Sequence, residues 1–217
     1  METGCESLQV PDLTRPQLLL ASASPRRLDL LRQIGLQPDR IVATDIDETP
    51  LRAEIPRDHA RRVARAKADA ADTALARSPE NTDWVLAADT VVGVGRRILP
   101  KTEDEAEARR CLLLLSGRAH RVTTAVCLAL PGGMRRERLV ETRVRFKRLA
   151  AAEVDAYLRS GEWRGKAGGY AIQGRAAAFV TGLVGSYSAV VGLPLYETAT
   201  LLEGAGYPVR MNWSEEA

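Results

Sequence analysis

Two serines and two adjacent arginines occupy a short segment, ASASPRR, which follows the apolar residues QLLLA. Ser24 before Pro25 is a typical start of an α-helix. The first turn of a helix has unpaired N–H groups and the positive end of the dipole, so basic side chains there favour a bound anion such as phosphate. A solvated basic turn, partly balanced by Asp29, is the alternative. The segment offers four candidate anion ligands: Ser22, Ser24, Arg26 and Arg27.

A lysine lies on the apolar side of a helix predicted over residues 57–78. On a helical wheel, Lys67 falls in the middle of the stripe formed by Ala60, Val63, Ala64 and Ala71. The side chain either runs along the edge of the core toward solvent, as long side chains do, or carries its charge into a polar cleft. The sequence alone leaves both interpretations open.

A single carboxylate interrupts the apolar strand VLAADTVVGV. Asp89 would be costly to bury without a cation or hydrogen bonds, so we expect a salt bridge, a catalytic base or a metal ligand, and favour the last two. The loop DIDETP adds Asp45, Asp47 and Glu48 at the end of another predicted strand. Such oxygen ligands suit Mg²⁺ or Mn²⁺ shared with substrate phosphates. For Asp45 and Asp47, a solvated acidic loop is the alternative.

A further lysine and a glycine-rich stretch complete the candidate chemistry. Lys101 follows a strand that returns beside Asp89, where it either meets a phosphate or only flanks a capping box formed by Thr102 and Glu105. The glycines of GKAGGYAIQG would let the backbone pass close to a ligand. They match neither the dinucleotide-binding nor the P-loop pattern, so both of those sites are disfavoured.

The composition argues against several classes of protein. A net charge of +3 over 217 residues, without an aromatic platform, does not indicate nucleic-acid binding. Three widely spaced cysteines predict neither a disulfide framework nor a zinc site. No apolar run approaches the roughly 18 residues of a membrane span. We expect a cytoplasmic protein with no nucleic-acid or membrane partner, and a flexible tail over residues 1–16 that is not a signal peptide.

Strands and helices alternate along the chain and predict an α/β fold with a mixed sheet and central antiparallel hairpins. The predicted strands are 17–21, 41–44, 84–95, 97–99, 120–130 and 139–146. The predicted helices are 25–34, 57–78, about 102–116, 151–160 and 194–204.

The order of these motifs resembles the Maf family of nucleoside triphosphate pyrophosphatases. The resemblance covers residues 17–209 and includes ASASPRRLDLL, the lysine of ARAKA, AADTVV, LSGRAHRV and GEWRGKAGGYAIQG. Each piece is unspecific, but the set in this order is highly specific. It implies one domain over 17–217 with an elongated, two-lobed architecture of the inosine-triphosphatase (Maf/Ham1) type around a central cleft.

The resemblance also implies roles for individual residues. Asp89 corresponds to the general base of the family and Glu48 to the acidic residue associated with the metal. Ser24, Arg27, Lys67 and Lys101 correspond to phosphate-binding groups. Arg26, Thr90 and Gln173 correspond to positions linked to base choice, and they look like the branch that acts on dTTP and UTP. One departure is Pro100, which stands before Lys101 where the family usually has glycine.

The activity implied is hydrolysis of a nucleoside triphosphate to the monophosphate and pyrophosphate with Mg²⁺ or Mn²⁺, by a protein that is often a homodimer. Two alternatives stay open. One is a regulatory module that inhibits septum formation by binding another protein. The other is a pyrophosphatase for a methylated purine nucleotide. A pure binding module would not need Asp89, Glu48, Lys67 and Lys101 together.

Overall fold

The computed structural model describes residues 15–75 and 83–214. Most of the predicted tail, residues 1–14, and the last residues of the helix predicted over 57–78 lie outside the described residues. Arg15, at the end of the predicted tail, donates hydrogen bonds to the carboxylate of Asp39 and the hydroxyl of Tyr207. No helix among the described residues is long and apolar enough to span a membrane.

Nine strands and six helices form the described part of the chain. The strands are β1 (Leu18–Ala21), β2 (Arg40–Ile41), β3 (Trp84–Val94), β4 (Arg97–Leu99), β5 (Lys101–Thr102), β6 (Ala119–Ala129), β7 (Arg135–Phe146), β8 (Lys166–Ala167) and β9 (Val180–Val184). The helices are α1 (Pro25–Arg32), α2 (Pro56–Leu75), α3 (Glu105–Leu115), α4 (Ala151–Arg159), α5 (Tyr187–Val191) and α6 (Leu195–Ala205).

Seven of the strands form a mixed sheet in the order β2-β1-β3-β6-β7-β9, with β4 paired to β3. The pairs β1–β2 and β1–β3 are parallel, and the other pairs are antiparallel. A separate two-stranded sheet joins β5 to β8. The predicted mixed α/β class is therefore confirmed.

The central strand β3 changes partners along one of its edges. Its first half pairs with β1 as far as Ala87, and its end pairs with β4 from Val92 onward. Its other edge stays paired with β6 throughout this region. Asp89 and Thr90 thus lie where β1 has ended and β4 has not begun. Breaks of this kind, at the carboxyl end of a parallel strand, are common places for ligand clefts.

Helix α2 covers one face of this sheet with small side chains. Ala60, Ala64, Ala68 and Ala71 are fully buried against Leu19, Ala87 and other apolar residues of the sheet. Alanines bring the helix axis close to the strands, so one long side chain on the same stripe reaches the strand residues directly. Gly93 permits this approach, since a Cβ there would lie 2.8 Å from the ring of Pro56.

The opposite face carries the larger core. Leucines of β1, β3 and β6 pack there with aromatic residues that include Phe146, Trp163 and Tyr170. Burying each large apolar side chain contributes about 1.5–3 kcal/mol. Gly168, at φ +68°, turns the chain after β8 so closely onto Val92 that a Cβ would contact its side chain at 2.9 Å. This turn places β8 beside the partner change in β3.

The predicted capping box of Thr102 and Glu105 is wrong. Thr102 belongs to β5, and its hydroxyl donates to the carbonyl of Trp163 at 3.0 Å. Asp104 is the N-cap of α3 instead, because its carboxylate accepts from the backbone N–H of Glu107 at 2.8 Å. The predicted strand 41–44 is also displaced, since β2 comprises Arg40–Ile41.

Candidate active site

The loop between β1 and α1 forms one side of a polar cavity of about 150 Å³. Ser24 is the N-cap of α1 but makes no side-chain capping bond, so its hydroxyl remains available at the cavity wall. Arg27, which is 8% exposed, donates to the carbonyl of Gly192 at 2.8 Å and to the hydroxyl of Ser22 at 3.0 Å. Burial lowers the pKa of Arg27, although the nearby Asp89 and Glu48 oppose that effect.

Lys67 connects two carboxylates at the edge of this cavity. Its ammonium lies 2.8 Å from Oε1 of Glu48 and 2.9 Å from Oδ1 of Asp89. Lys101 forms a short ion pair with the other oxygen of Glu48. Lys67 and Asp89 are 6% and 2% exposed, so their pair is shielded from solvent. The apolar stripe of α2 therefore directs Lys67 toward carboxylates, and the interpretation of a charge in a polar cleft is the one that the contacts favour.

The two ammonium groups keep Glu48 ionised. Partial burial of this carboxyl opposes ionisation, but the hydrogen bonds from Lys101 and Lys67 outweigh that effect and lower its pKa to about 2. The cluster therefore pairs two acidic side chains, Glu48 and Asp89, with two basic ones, Lys67 and Lys101. It has no excess negative charge that would repel a polyanionic substrate.

Thr90 follows Asp89 on β3 and also lines the cavity. Its hydroxyl oxygen lies 3.1 Å from the hydroxyl oxygen of Thr124, which donates to the carbonyl of Ala189 at 2.7 Å. A hydroxyl has one proton. Thr124 is the donor in both contacts, so its proton is shared between Ala189 and Thr90, and the Thr90 hydroxyl keeps its own proton and a further lone pair for a ligand.

A second cavity, of about 340 Å³, adjoins the first. Asp89, Thr90, Lys101 and Ala167 line both cavities. Glu48 and His59 line only the second, together with apolar residues such as Ile98. The residues at the partner change in β3 therefore form the junction between the two cavities.

The structure brings most of the predicted site residues together. The following eight line a cavity or form an ion pair with a residue that does: Ser24, Arg26, Arg27, Glu48, Lys67, Asp89, Thr90 and Lys101. Ser22 does not line either cavity, but its hydroxyl accepts from Arg27. Gln173 is exposed and is not among the residues that line either cavity.

Two basic side chains at the cavities were not among the predicted site residues. Lys166 lines the first cavity beside Arg26, and burial and the charge of Arg26 lower its pKa. The glycines around Lys166 indicate that the backbone passes close to a ligand, and this pattern gives no signal for the lysine side chain. His59 lines the second cavity from α2. Its position about two helical turns before Lys67, on the same helix face, was the signal available in the sequence.

The carboxylates of Glu48 and Asp89 could bind a divalent ion only if the substrate supplies further ligands to that ion. Within residues 15–75 and 83–214, no three His, Cys, Asp or Glu side chains are grouped so that they could hold a metal ion. Glu48 and Asp89 provide two carboxylates at the cavity wall. Mg²⁺ often binds one or two carboxylates and takes its remaining ligands from water and substrate phosphates. The donor set fits that mode and does not fit a cage made by the protein alone.

Comparisons with known proteins give one consistent family. The family described as "Maf-like protein" matches residues 17–205. A dTTP/UTP pyrophosphatase of Brucella abortus (strain 2308) is 63% identical over 198 residues, which are 91% of this chain and 95% of that protein. A dTTP/UTP pyrophosphatase of Rhodopseudomonas palustris (strain HaA2) is 59% identical over 202 residues, which are 93% and 98% of the two chains.

Among solved structures, a nucleoside-triphosphatase (dITP/XTP pyrophosphatase) of Mycobacterium abscessus is 20% identical, with a TM-score of 0.38, and the match covers 62% of this chain and 75% of that one. The Ham1 protein of Staphylococcus aureus is 16% identical, with a TM-score of 0.39 and coverage of 60% and 71%. The family match and the identity to full-length relatives decide the assignment: the chain belongs to the Maf-like protein family.

Proposed function

We propose that this protein hydrolyses dTTP and UTP to the nucleoside monophosphate and pyrophosphate. The observation that carries the proposal is the cluster in which Lys67 joins Glu48 to Asp89, beside a cavity lined by Arg26 and Arg27. This arrangement combines a buried carboxylate with cations suited to a triphosphate. The names of relatives about 60% identical over more than 90% of the chain support the same activity and substrates.

The reaction is attack of water on the α-phosphorus. A new P–O bond forms, the α–β phosphoanhydride bond breaks, and pyrophosphate takes the bonding electrons. Asp89 orients the attacking water or accepts its proton, and the contact with Lys67 at 2.9 Å holds the carboxylate in place for that task. General-base assistance of this kind typically contributes about 10²–10⁴-fold to the rate.

The basic side chains bind and stabilise the phosphate charge. Arg27 and Ser24 face the phosphates from the start of α1, and Lys101 faces them from the junction between the cavities. Lys67 acts from behind Asp89 and Glu48. Fixed cations in a partly buried site need little reorganisation as negative charge develops, so they favour the transition state.

Glu48 and Asp89 are the residues that would hold Mg²⁺ or Mn²⁺ together with the substrate. When bound, such an ion neutralises phosphate charge and polarises the phosphoryl oxygens.

Base choice is assigned to the first cavity. Arg26 is half-buried there and has only hydrogen-bond donors, which suit the carbonyl oxygens of uracil and thymine and disfavour the amino group of cytosine. Thr90 offers an acceptor for N3–H or positions the sugar. We retain Gln173 as a candidate for base choice from the family resemblance. No contact of Gln173 with the cavity supports that role, so it is tested separately. The homodimer also stays a prediction.

A nucleotide panel tests the proposed function. Purified protein with Mg²⁺ is expected to release pyrophosphate from UTP and dTTP with higher kcat/KM than from CTP or GTP. The same assay on Gln173→Ala measures its part in the preference. Activity highest on GTP or methylated GTP would contradict the proposed substrates. Absence of pyrophosphate release from every nucleotide would contradict the proposed activity.

A further inference from the structure

His59 is held on the wall of the second cavity by an acidic partner. The imidazole is 6% exposed, and its Nδ1 lies 2.9 Å from Oε2 of Glu54. Glu54 also accepts from Arg62, at 2.7 and 2.9 Å, and from the backbone N–H of Leu51 at 2.9 Å. These bonds fix the carboxylate, and through it the imidazole ring.

The contact with Glu54 decides which nitrogen carries a proton. Hydrogen bonds from Arg62, aided by those from Leu51 and His59 against the effect of burial, lower the pKa of Glu54 to about 2. Nη2 of Arg62 also lies 3.2 Å from Nδ1, but the carboxylate is nearer, at 2.9 Å, and an ionised carboxylate only accepts, so Nδ1 donates to Glu54. The opposite edge of the ring, with Nε2, is then the edge available to the cavity. Among the described residues, no hydrogen-bond partner is recorded for Nε2.

The sizes of the cavities indicate that the substrate occupies both. The first is about 150 Å³, below the about 300 Å³ at which small-molecule sites usually begin, whereas the two together exceed that size. Asp89 and Lys101 form the junction, where the broken bond must lie if Asp89 acts on the attacking water. With the nucleoside in the first cavity beside Arg26 and Thr90, the departing phosphates extend into the second.

We propose that His59, positioned by Glu54, is a pyrophosphate-binding residue of the second cavity and forms a hydrogen bond with the leaving group through Nε2. This inference rests on the proposed function. His59 and Lys101 then face the leaving group from two walls, and Glu48 and Asp89 remain available to a shared divalent ion.

Two substitutions separate this role from a structural one. In His59→Asn the amide retains a donor near Nδ1 for Glu54 and lacks a group at the position of Nε2. In His59→Gln the amide reaches the position of Nε2. We expect His59→Asn to raise the dissociation constant of magnesium pyrophosphate about 10- to 100-fold, the usual effect of losing a hydrogen bond to a charged group. His59→Gln should lose less affinity, and the affinity for UMP should stay unchanged in both.

Calorimetry with pyrophosphate and with UMP reads these affinities without turnover. Asp58→Asn, an exposed neighbour on α2, is the matched control and should bind both ligands like the wild type. Thermal unfolding identifies a variant that has lost its fold. Normal pyrophosphate binding by His59→Asn, or weak binding only in His59→Gln, would assign His59 a structural role and overturn the inference. Weakened UMP binding with unchanged pyrophosphate binding would reverse the two cavities and also overturn it.

The wild-type assay keeps the two proposals apart. Hydrolysis of UTP by the wild type together with normal pyrophosphate binding by His59→Asn would reject the role of His59 and leave the function standing. The expected binding pattern without hydrolysis of any nucleotide would reject the function and leave the pyrophosphate site standing.

Discussion

Two buried cations in the candidate site have opposite kinds of partners. Arg27, at the start of α1, binds a carbonyl and a hydroxyl, both neutral. Lys67, on α2, binds two carboxylates. No carboxylate of the described residues forms an ion pair with Arg27. The positive charge of Arg27 therefore remains for an anionic ligand, whereas that of Lys67 organises the acidic residues. The side of the site around Arg27, the substrate side, therefore has a charge free to bind substrate. On the side around Lys67, the carboxylate side, the charge holds Glu48 and Asp89 in place.

The largest expected effect is on the carboxylate side. Asp89→Asn removes the group that orients or deprotonates water, so kcat for UTP should fall about 10²–10⁴-fold. Steady-state pyrophosphate release measures it, and a thermal unfolding curve serves as the control for folding. Turnover close to that of the wild type would show that Asp89 has no such role.

Removing each cation tests the comparison itself. Lys67→Met leaves two carboxylates without their shared ammonium, and breaking a buried ion pair from one side costs about 3–5 kcal/mol. Arg27→Met removes a buried charge with neutral partners, so it should change the free energy of unfolding much less and raise the KM for UTP about 10- to 100-fold. Urea unfolding measures the free energy of unfolding of both variants, and steady-state kinetics measure their KM for UTP. If Lys67→Met and Arg27→Met lost the same free energy of unfolding, the two cations would not differ in the way that their partners indicate.

The preference for one base over another tests the role of Arg26 on the substrate side. Arg26→Ala should reduce the preference for UTP over CTP about 10-fold or more, because an unmatched polar edge in a desolvated site costs about 1–3 kcal/mol. The ratio of kcat/KM values for the two nucleotides is the readout. An equal loss of activity on both bases would place Arg26 on the phosphates instead.

The smallest expected effect is on the acid dependence of stability, which should differ between the carboxylate side and the substrate side. The pKa of Glu48 is lowered to about 2, so its pairing stabilises the fold above the ordinary glutamate pKa and is lost as the pH falls from about 4.5 toward 2. The neutral partners of Arg27 do not titrate in that range. Glu48→Gln should therefore flatten the acid dependence of Tm, and Arg27→Met, which removes no ion pair, should change it less. Identical curves for Glu48→Gln and the wild type would contradict the ion-pair assignment.

Local patterns in the sequence predicted much of the site. A charged residue on an apolar helix stripe identified Lys67, and a lone carboxylate in an apolar strand identified Asp89, since both patterns follow from helix and strand periodicity. The parallel pairing of β1 with β3 could not be predicted in the same way. It joins residues 66 positions apart, such as Leu18 and Trp84, and nothing local specifies it. That pairing creates the break in which Asp89 lies.

The failures have equally physical causes. Thr102 satisfies the pattern of a capping box, but its hydroxyl donates to the carbonyl of Trp163, a residue distant in sequence. Asp104 is the N-cap of α3 instead. Gln173 lies within the glycine-rich stretch, whose turns leave its side chain exposed, so its role in base choice stays a prediction. Helical periodicity indicates the face of α2 on which His59 lies, but not its contact with Glu54, a residue outside the helix.

Hydrolysis of UTP in ¹⁸O-labelled water tests the central claim most directly, because the position of the label reports which phosphorus the water attacks. The account predicts one labelled oxygen in UMP and none in pyrophosphate, with the wild-type enzyme and Mg²⁺. Label in pyrophosphate, or release of labelled inorganic phosphate with UDP, would place the attack on the β- or γ-phosphorus and contradict the assignment of the site.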